Sequence, residues 1–134
     1  GSTSLVMIGD GPLAAECRLR DGVSVYGGIG DEATAQAVSR SRGLVAFGRR
    51  EHYGMTPQEA LACGGPILVP DEANLSSHVQ PGCGVVCEPA NLEAGFVELL
   101  AADWDRRVVR DGLGAPSPAQ FRNAVRNEAT RWSA

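Results

Sequence analysis

The chain has 134 residues, of which 43% are hydrophobic and 21% are charged, a balance typical of one soluble globular domain with its own core. The net charge is −4 and the sequence shows no basic stripe, so nucleic acid is not among the expected partners. No apolar run approaches the length of a membrane span, and membrane contact is not encoded in this segment.

Four cysteines lie mostly in apolar surroundings. Cys83 and Cys87 are separated by three residues inside a strand-like run, which is not the spacing of a zinc site. We therefore expect reduced cysteines and no metal. Reduced cysteines, together with the lack of a signal-peptide pattern, predict a cytoplasmic location.

The first part of the chain alternates short apolar runs with polar helical segments. Leu5–Ile8 is continuously apolar, as in a buried parallel strand, and the turn residues Gly9–Pro12 follow it. A helix is predicted to begin at Pro12. A second strand covers Val23–Tyr26, a helix covers about Asp31–Ser39, and a third strand covers Leu44–Phe47.

The glycines after the first strand also fit the dinucleotide-binding fingerprint, as Gly9-x-Gly11-x-x-Ala14. In that class of protein an acidic residue at the end of the second strand binds the ribose. Here the second strand ends in Gly27-Gly28, so we reject a dehydrogenase interpretation. An alternative is that Gly9 and Gly11 only allow the chain to turn and bind no ligand.

Two glutamates, Glu51 and Glu59, flank the turn between the third strand and the next helix. Thr56 is predicted as the N-cap of that helix, with Pro57 at its first position and Gly64 just past its end. In an open α/β sheet this junction lies at the carboxyl ends of the strands, where ligands bind, and the free N–H groups of the helix start favour an anion.

The remaining elements continue the alternation. Strands are predicted at Ile67–Val69 and Gly84–Pro89, helices begin at Asn91 and Ser117, and a further segment runs from Asp103 to about Arg110. Five short apolar strands alternating with helices indicate an α/β fold, a doubly wound parallel sheet in a three-layer αβα arrangement. We expect residues 1–134 to form a single Rossmann-like domain.

The string from Glu51 to Pro66, EHYGMTPQEALACGGP, resembles a known signature. It is similar to E-G-F-G-x-x-x-x-E-A-M-A-x-G-x-P of the retaining, nucleotide-sugar-dependent glycosyltransferases with the GT-B fold, family 4. The spacing of the two glutamates is kept, while His52, Tyr53 and Leu61 depart from the pattern without removing a charged group. The I-G-D-G-P string after the first strand also looks like a loop of that family.

The resemblance implies a site that binds a UDP- or GDP-sugar donor without a metal or other cofactor. Glu51 would be catalytic, bonding the donor sugar and holding charge as the glycosidic bond breaks, and Glu59 would accept hydrogen bonds from the ribose. The other donor-binding residues would be Tyr53, Gly54, Met55, Thr56, Gly28 and Ile29. The alternatives are a solvated loop carboxylate for Glu51, a capping box in which Glu59 bonds the N–H of Thr56, and an ordinary turn at Gly28.

The resemblance covers only part of such an enzyme, from about Leu5 to Leu100. The family's N-terminal acceptor domain has no counterpart, nor does the first strand and helix of the donor domain, which carry an Arg and a Lys for the diphosphate. A companion domain or a separate partner chain is therefore implied, and this chain alone is expected to be inactive.

The missing strand makes a prediction about topology. Removing the central strand from the order 3-2-1-4-5-6 leaves 2-1-3-4-5, the flavodoxin-like order. We expect the sheet to close in that order rather than leave a central slot for a strand from a partner chain, because closure hides the backbone edges.

Two other functions remain open. One is a non-catalytic or split-enzyme binding module of the same fold. The other is a flavodoxin-like regulatory domain, although the first loop has Gly11-Pro12 where a hydroxyl-rich phosphate loop would be expected.

Overall fold

The structure is a computed structural model that describes residues 3–48, 54–71 and 74–114, together with residues 119, 122 and 123. Strands and helices alternate along these residues. In chain order they are β1 (Leu5–Ile8), α1 (Ala14–Cys17), β2 (Val23–Tyr26), α2 (Asp31–Arg40), β3 (Leu44–Val45), α3 (Met55–Ala62), β4 (Ile67–Pro70), β5 (Gly84–Cys87), α4 (Leu92–Ala101) and α5 (Arg106–Asp111). Short 3₁₀ helices cover Asn74–His78 and Pro89–Asn91.

All strand pairs are parallel, so the α/β class and the predicted alternation are confirmed. The strands form two sheets, β1-β2 and β3-β4-β5. Leu5 pairs with Val23 in the first sheet, and Ile67 of β4 pairs with Leu44 and Gly84 in the second. β3 is shorter than predicted, ending at Val45, although the N–H of Ala46 still donates to Leu68 O at 3.0 Å.

The preferred closure into one sheet of order 2-1-3-4-5 is wrong. The strand order holds within each sheet, but in the described part of the chain no hydrogen bond joins β1 to β3. The alternative, a central slot for a strand from a partner chain, stays a prediction, since the structure shows only that the two sheets are separate. Two parallel strands pair only when they lie side by side in a register that brings their N–H and C=O groups together. The absence of the strand between them does not by itself bring β1 and β3 to that distance.

The core lies around the second sheet. All four residues of β4 are buried. Ile67 and Val69 pack with Leu61 of α3 and Val109 of α5, and Leu68 packs with Leu99 of α4. The buried residues form two clusters, one that contains Leu61 and one that contains Leu99, and Trp104 packs against both. Its indole N–H donates to the carbonyl oxygen of Leu99 at 2.8 Å. Trp104 thus packs against the same cluster as Phe96, and it contacts Leu99 of α4.

The first sheet is covered much less. The four apolar residues of β1 are 38–50% exposed, and α1 and α2 contain no buried residue. The predicted last helix, from Ser117, lies largely outside the described residues, although residues 119, 122 and 123 are helical. The well-packed part of the described chain thus runs from Gly54 to Val109.

Candidate functional site

The helix after the third strand begins two residues earlier than predicted. Its first residue is Met55, and its N-cap is Gly54, in the left-handed region with φ +74°. Thr56 is therefore the second helical residue, and the prediction that it caps the helix is wrong. The reason is tertiary: Gly54 is buried, and a Cβ at this position would collide with Leu75, so the chain turns here on a glycine.

The other end of this helix follows the prediction. Gly64 has φ +72°, its N–H donates to Leu61 O, and the N–H of Gly65 donates to Ala60 O, both at 2.8 Å. These two bonds form a Schellman motif, which satisfies carbonyl groups of the last turn. Pro66 comes next and leads directly into β4, so the sequence closes the helix at a defined point.

Glu59 is the fifth residue of α3, so it is not in position to form a capping box with Thr56. The helix start carries no side-chain cap, and the alternative interpretation of Glu59 as a capping residue is wrong. Its side chain is exposed, and among the described residues it has no hydrogen-bond or ion-pair partner. The carboxylate is thus available to a ligand.

The first turn of α3 offers backbone donors. The N–H of Gln58 donates to Gly54 O at 3.3 Å, and Pro57 has no N–H. The N–H groups of Met55 and Thr56 remain, and within the part of the chain that the structure describes neither has a backbone acceptor. Two parallel N–H groups at the positive end of a helix dipole favour an anion.

Thr56 and Glu59 line a cavity of about 1460 Å³, together with residues of β1, β3, α2 and α4. Asp31, the first residue of α2, also lines it. Arg40, the last residue of that helix, and Arg42, just past it, line it at the other end. The cavity therefore has carboxylates towards the carboxyl ends of the strands and cations towards their amino ends, since a helix between parallel strands runs antiparallel to them.

The structure brings only some of the predicted residues together. Gly54 and Met55 begin the helix on which Thr56 and Glu59 lie, and Met55 is 63% exposed. Gly28, with φ +61°, and the half-buried Ile29 lie on the loop between β2 and α2, and neither is among the described residues that line the cavity.

Two predicted residues are not described. Glu51, the predicted catalytic residue, and Tyr53 lie outside the described residues. Their roles therefore stay predictions.

Sequence reasoning missed Asp31 and Asp10. Asp31 was considered only as a helix start, but it lines the same cavity as Glu59. The side chain of Asp10 lies against Gly27, so close that a Cβ at Gly27 would collide with it. Asp10 lies on the loop that follows β1, and Asp31 begins the helix that follows β2. That position beyond the carboxyl edge of a parallel sheet was the available signal.

Of the cysteines, Cys63 lines the cavity beside Glu59. All four are free, and Cys83 is buried under α5, with its Sγ 3.8 Å from the carbonyl oxygen of Val109. Burial raises the pKa of the Cys83 thiol, and burial followed by the charges of Asp71 and Glu98 raises that of Cys87. Within the described ranges, no three His, Cys, Asp or Glu side chains are grouped to hold a metal ion.

Two comparisons with known proteins bear on this site. The family model described as glycosyl transferases group 1 matches residues 2–104 of the 134. The matched range contains every candidate residue named above and ends before α5. A search of curated proteins gives no match.

Across the residues that the structure describes, no helix has the length and apolar character needed to cross a membrane.

Proposed function

The chain belongs to the glycosyl transferases group 1 family, and on that premise we propose that it is the donor-binding half of a sugar-transferring enzyme. The enzyme would have the GT-B fold, belong to family 4, and transfer a sugar from a UDP- or GDP-sugar to an acceptor with retention of the anomeric configuration. This domain would hold the nucleotide sugar, and it would act in the cytoplasm.

The observation that carries the proposal is the start of α3. The N–H groups of Met55 and Thr56 are without backbone acceptors in the described chain, and Glu59 on the same helix has an exposed carboxylate with no partner there. A nucleoside diphosphate has an anion and a ribose diol a few ångströms apart. It therefore suits a site in which N–H donors at a helix start lie about one turn from a carboxylate.

Each residue then has a defined task. The helix start would bind the diphosphate and stabilise the negative charge that grows on it as it leaves. Glu59 would accept the ribose hydroxyl hydrogen bonds, with Gly28 and Ile29 beside the base. Glu51, assisted by Tyr53, would orient the donor sugar so that the acceptor hydroxyl attacks the anomeric carbon on the face that the diphosphate leaves.

No other cofactor is proposed for this mechanism, and no metal is assigned a role. The acceptor would be bound by a companion N-terminal domain or by a separate partner chain. We propose that the present chain alone binds the donor weakly and transfers no sugar.

A second function, a split-enzyme or non-catalytic binding module, is favoured by one observation. β1 and β3 are not paired with each other in the described chain, so the sheet is open at its middle. Strand edges that are not paired with each other can pair with a strand of another polypeptide. Co-purification of a second α/β chain with sugar-transfer activity would favour this version.

Calorimetric titration of the chain with UDP, GDP and their sugar conjugates tests the donor site. A Glu59→Gln variant removes the charge, and Glu93→Gln, an exposed residue in the first turn of α4, is the matched control. We expect binding that is selective for one nucleotide, weakened about tenfold or more by Glu59→Gln and unchanged by Glu93→Gln. Equal binding by all three proteins would contradict the assignment of Glu59.

A further inference from the structure

The carboxylate of Asp10 lies directly against the next loop of the first sheet. Asp10 belongs to the loop after β1, and Gly27 is the first residue after β2. The carboxylate group fills the space that a side chain at Gly27 would occupy, so a Cβ at that position would displace it. The acidic group thus lies over the turn that begins at Gly27, beyond the carboxyl ends of β1 and β2.

This carboxylate has no structural task in the described part of the chain. Asp10 is exposed, and among the described residues its side chain has no hydrogen-bond or ion-pair partner. Asp105, by comparison, accepts hydrogen bonds from the N–H groups of Arg107 and Val108 and so caps α5. Both oxygens of Asp10 therefore remain available as hydrogen-bond acceptors.

Hydrogen-bond donors lie on the turn beside the carboxylate. The N–H groups of Gly28 and Ile29 have no backbone acceptor in the part of the chain that the structure describes. A Cβ placed on Gly28 would meet nothing within 4 Å, and the same is true of Gly11, next to Asp10. Two carboxylate acceptors and two backbone donors thus border an open space that a flat ligand can approach closely.

The same edge of the molecule carries the start of α3. Ile8, the last residue of β1, lines the cavity that Thr56 and Glu59 line, and Asp31 at the start of α2 lines it too. A nucleotide whose diphosphate lies at the start of α3 can therefore extend along the carboxyl ends of the strands to the loops after β1 and β2. Its base would then lie beside Asp10.

Guanine and uracil differ in the hydrogen-bonding groups along their edges. Guanine presents one acceptor, O6, beside two donors, the N1–H and the N2 amino group. Uracil presents a single donor, N3–H, between two acceptors, O4 and O2. A carboxylate accepts from both donors of guanine, whereas against uracil one of its oxygens would face another acceptor.

We propose that Asp10 determines the specificity for the base, so that the donor is a GDP-sugar rather than a UDP-sugar. The Asp10 carboxylate accepts hydrogen bonds from the N1–H and the N2 amino group of guanine, and the N–H of Gly28 donates to O6. This inference rests on the proposed function, since it assigns the base of the same donor site. A base that lacks one of the two donors is rejected because a carboxylate oxygen is then left without a partner.

NMR titration of the ¹⁵N-labelled chain with GDP, IDP and UDP tests this assignment. IDP has the same purine ring without the N2 amino group, so it removes one donor and keeps the ribose and the diphosphate. We expect GDP to bind about tenfold more tightly than IDP or UDP. Equal affinities for GDP and IDP, or tighter binding of UDP, would overturn the proposal.

Two variants change the carboxylate in different ways. Asp10→Asn removes its charge and keeps its size, whereas Gly27→Ala keeps the charge and fills the space that the group occupies. Gly27 has no positive φ, so its backbone conformation is open to alanine. We expect both variants to bind GDP and IDP with nearly equal affinity. Asp21→Asn, an exposed aspartate before β2 at the opposite end of the sheet, is the matched control and should keep the preference for GDP.

The donor site and the assignment of its base can fail separately. Nucleotide binding that Glu59→Gln weakens, but that Asp10→Asn leaves with its full preference for GDP, would support the donor site and refute the role of Asp10. Binding of none of the three nucleotides would contradict the donor site itself, and the assignment of the base with it. A preference for GDP that is lost in Asp10→Asn and Gly27→Ala and kept in Asp21→Asn is the result that the proposal predicts.

Discussion

The guanidinium of Arg106 donates a hydrogen bond to the carbonyl oxygen of Ser41, 65 residues earlier in the chain. Arg106 is the first residue of α5, and Ser41 is the C-cap of α2. A second guanidinium nitrogen donates to Gly64 O at the end of α3, at 3.4 Å. One side chain thus holds the C-terminal ends of two helices together, and its charge suits the negative ends of both dipoles.

Replacing Arg106 should therefore loosen the helix that carries the candidate site. We expect Arg106→Ala to lower the free energy of unfolding by about 1.5–3 kcal/mol, because two carbonyl groups lose a charged donor in a partly buried place. Urea unfolding measures this change. Arg107→Ala removes an exposed neighbouring charge and should change stability by less than about 0.5 kcal/mol; equal losses in both variants would contradict the role of Arg106.

The left-handed turn before α3 should tolerate no side chain. Gly54→Ala introduces a Cβ at φ +74° that collides with Leu75, so we expect a loss of about 2–4 kcal/mol of unfolding free energy. Thermal unfolding provides the measurement. At Gly11 there is open space and no positive φ, so Gly11→Ala is the matched control and should leave the melting temperature nearly unchanged.

The two sheets should differ in local stability. β4 is fully buried, and β2 has only half-buried and exposed residues, so β2 should open at a lower free energy. Native-state hydrogen exchange would show slower exchange at Leu68 and Val69 than at Ser24.

Substitutions in the two sheets should differ in the same direction. Leu68→Ala should lower the free energy of unfolding by about 2–5 kcal/mol, whereas Leu5→Ala, in the exposed β1, should lower it clearly less. Equal costs would contradict the uneven core.

Stability should decline in alkaline solution because of Cys83. Its burial raises the pKa of the thiol above the ordinary value of 9.0, so in the unfolded chain the thiol loses its proton at lower pH than in the folded chain. Between these two pKa values the unfolded state binds fewer protons, and the free energy of unfolding falls as pH rises. Below this window both states keep the thiol neutral.

Urea unfolding from about pH 7 to pH 10 checks this prediction. The decline should be shallower in Cys83→Ala, because that variant has no thiol to titrate. A Cys83→Ala slope equal to that of the unchanged chain would show that Cys83 is not the cause.

Most elements of this fold follow from local patterns. β1, β2 and β4 are short apolar runs bounded by turn residues, and each has its predicted start. The Schellman end of α3 follows from Gly64 because a left-handed residue after a helix is a local requirement. Patterns of this kind depend only on neighbouring residues.

Two features depended on residues distant in the sequence, and the sequence analysis missed them. Thr56-Pro57 is a good local start for a helix, but the packing of Gly54 beside Leu75 moves the start to Met55. The gap between β1 and β3 depends on whether two edges meet, which apolar composition alone does not determine. The same limit applies to the site, where Asp31 and Glu59 share a cavity only because of the sheet arrangement.

The central claim is that the start of α3 binds the donor nucleotide, and NMR titration of the ¹⁵N-labelled chain with UDP and GDP tests it most directly. The account predicts that one nucleotide shifts the amide signals of Met55, Thr56 and Glu59, with smaller changes at Gly28. The signal of Val86, at the outer edge of β5, should stay in place. Shifts that leave the first turn of α3 untouched, or no shift with either nucleotide, would contradict the account.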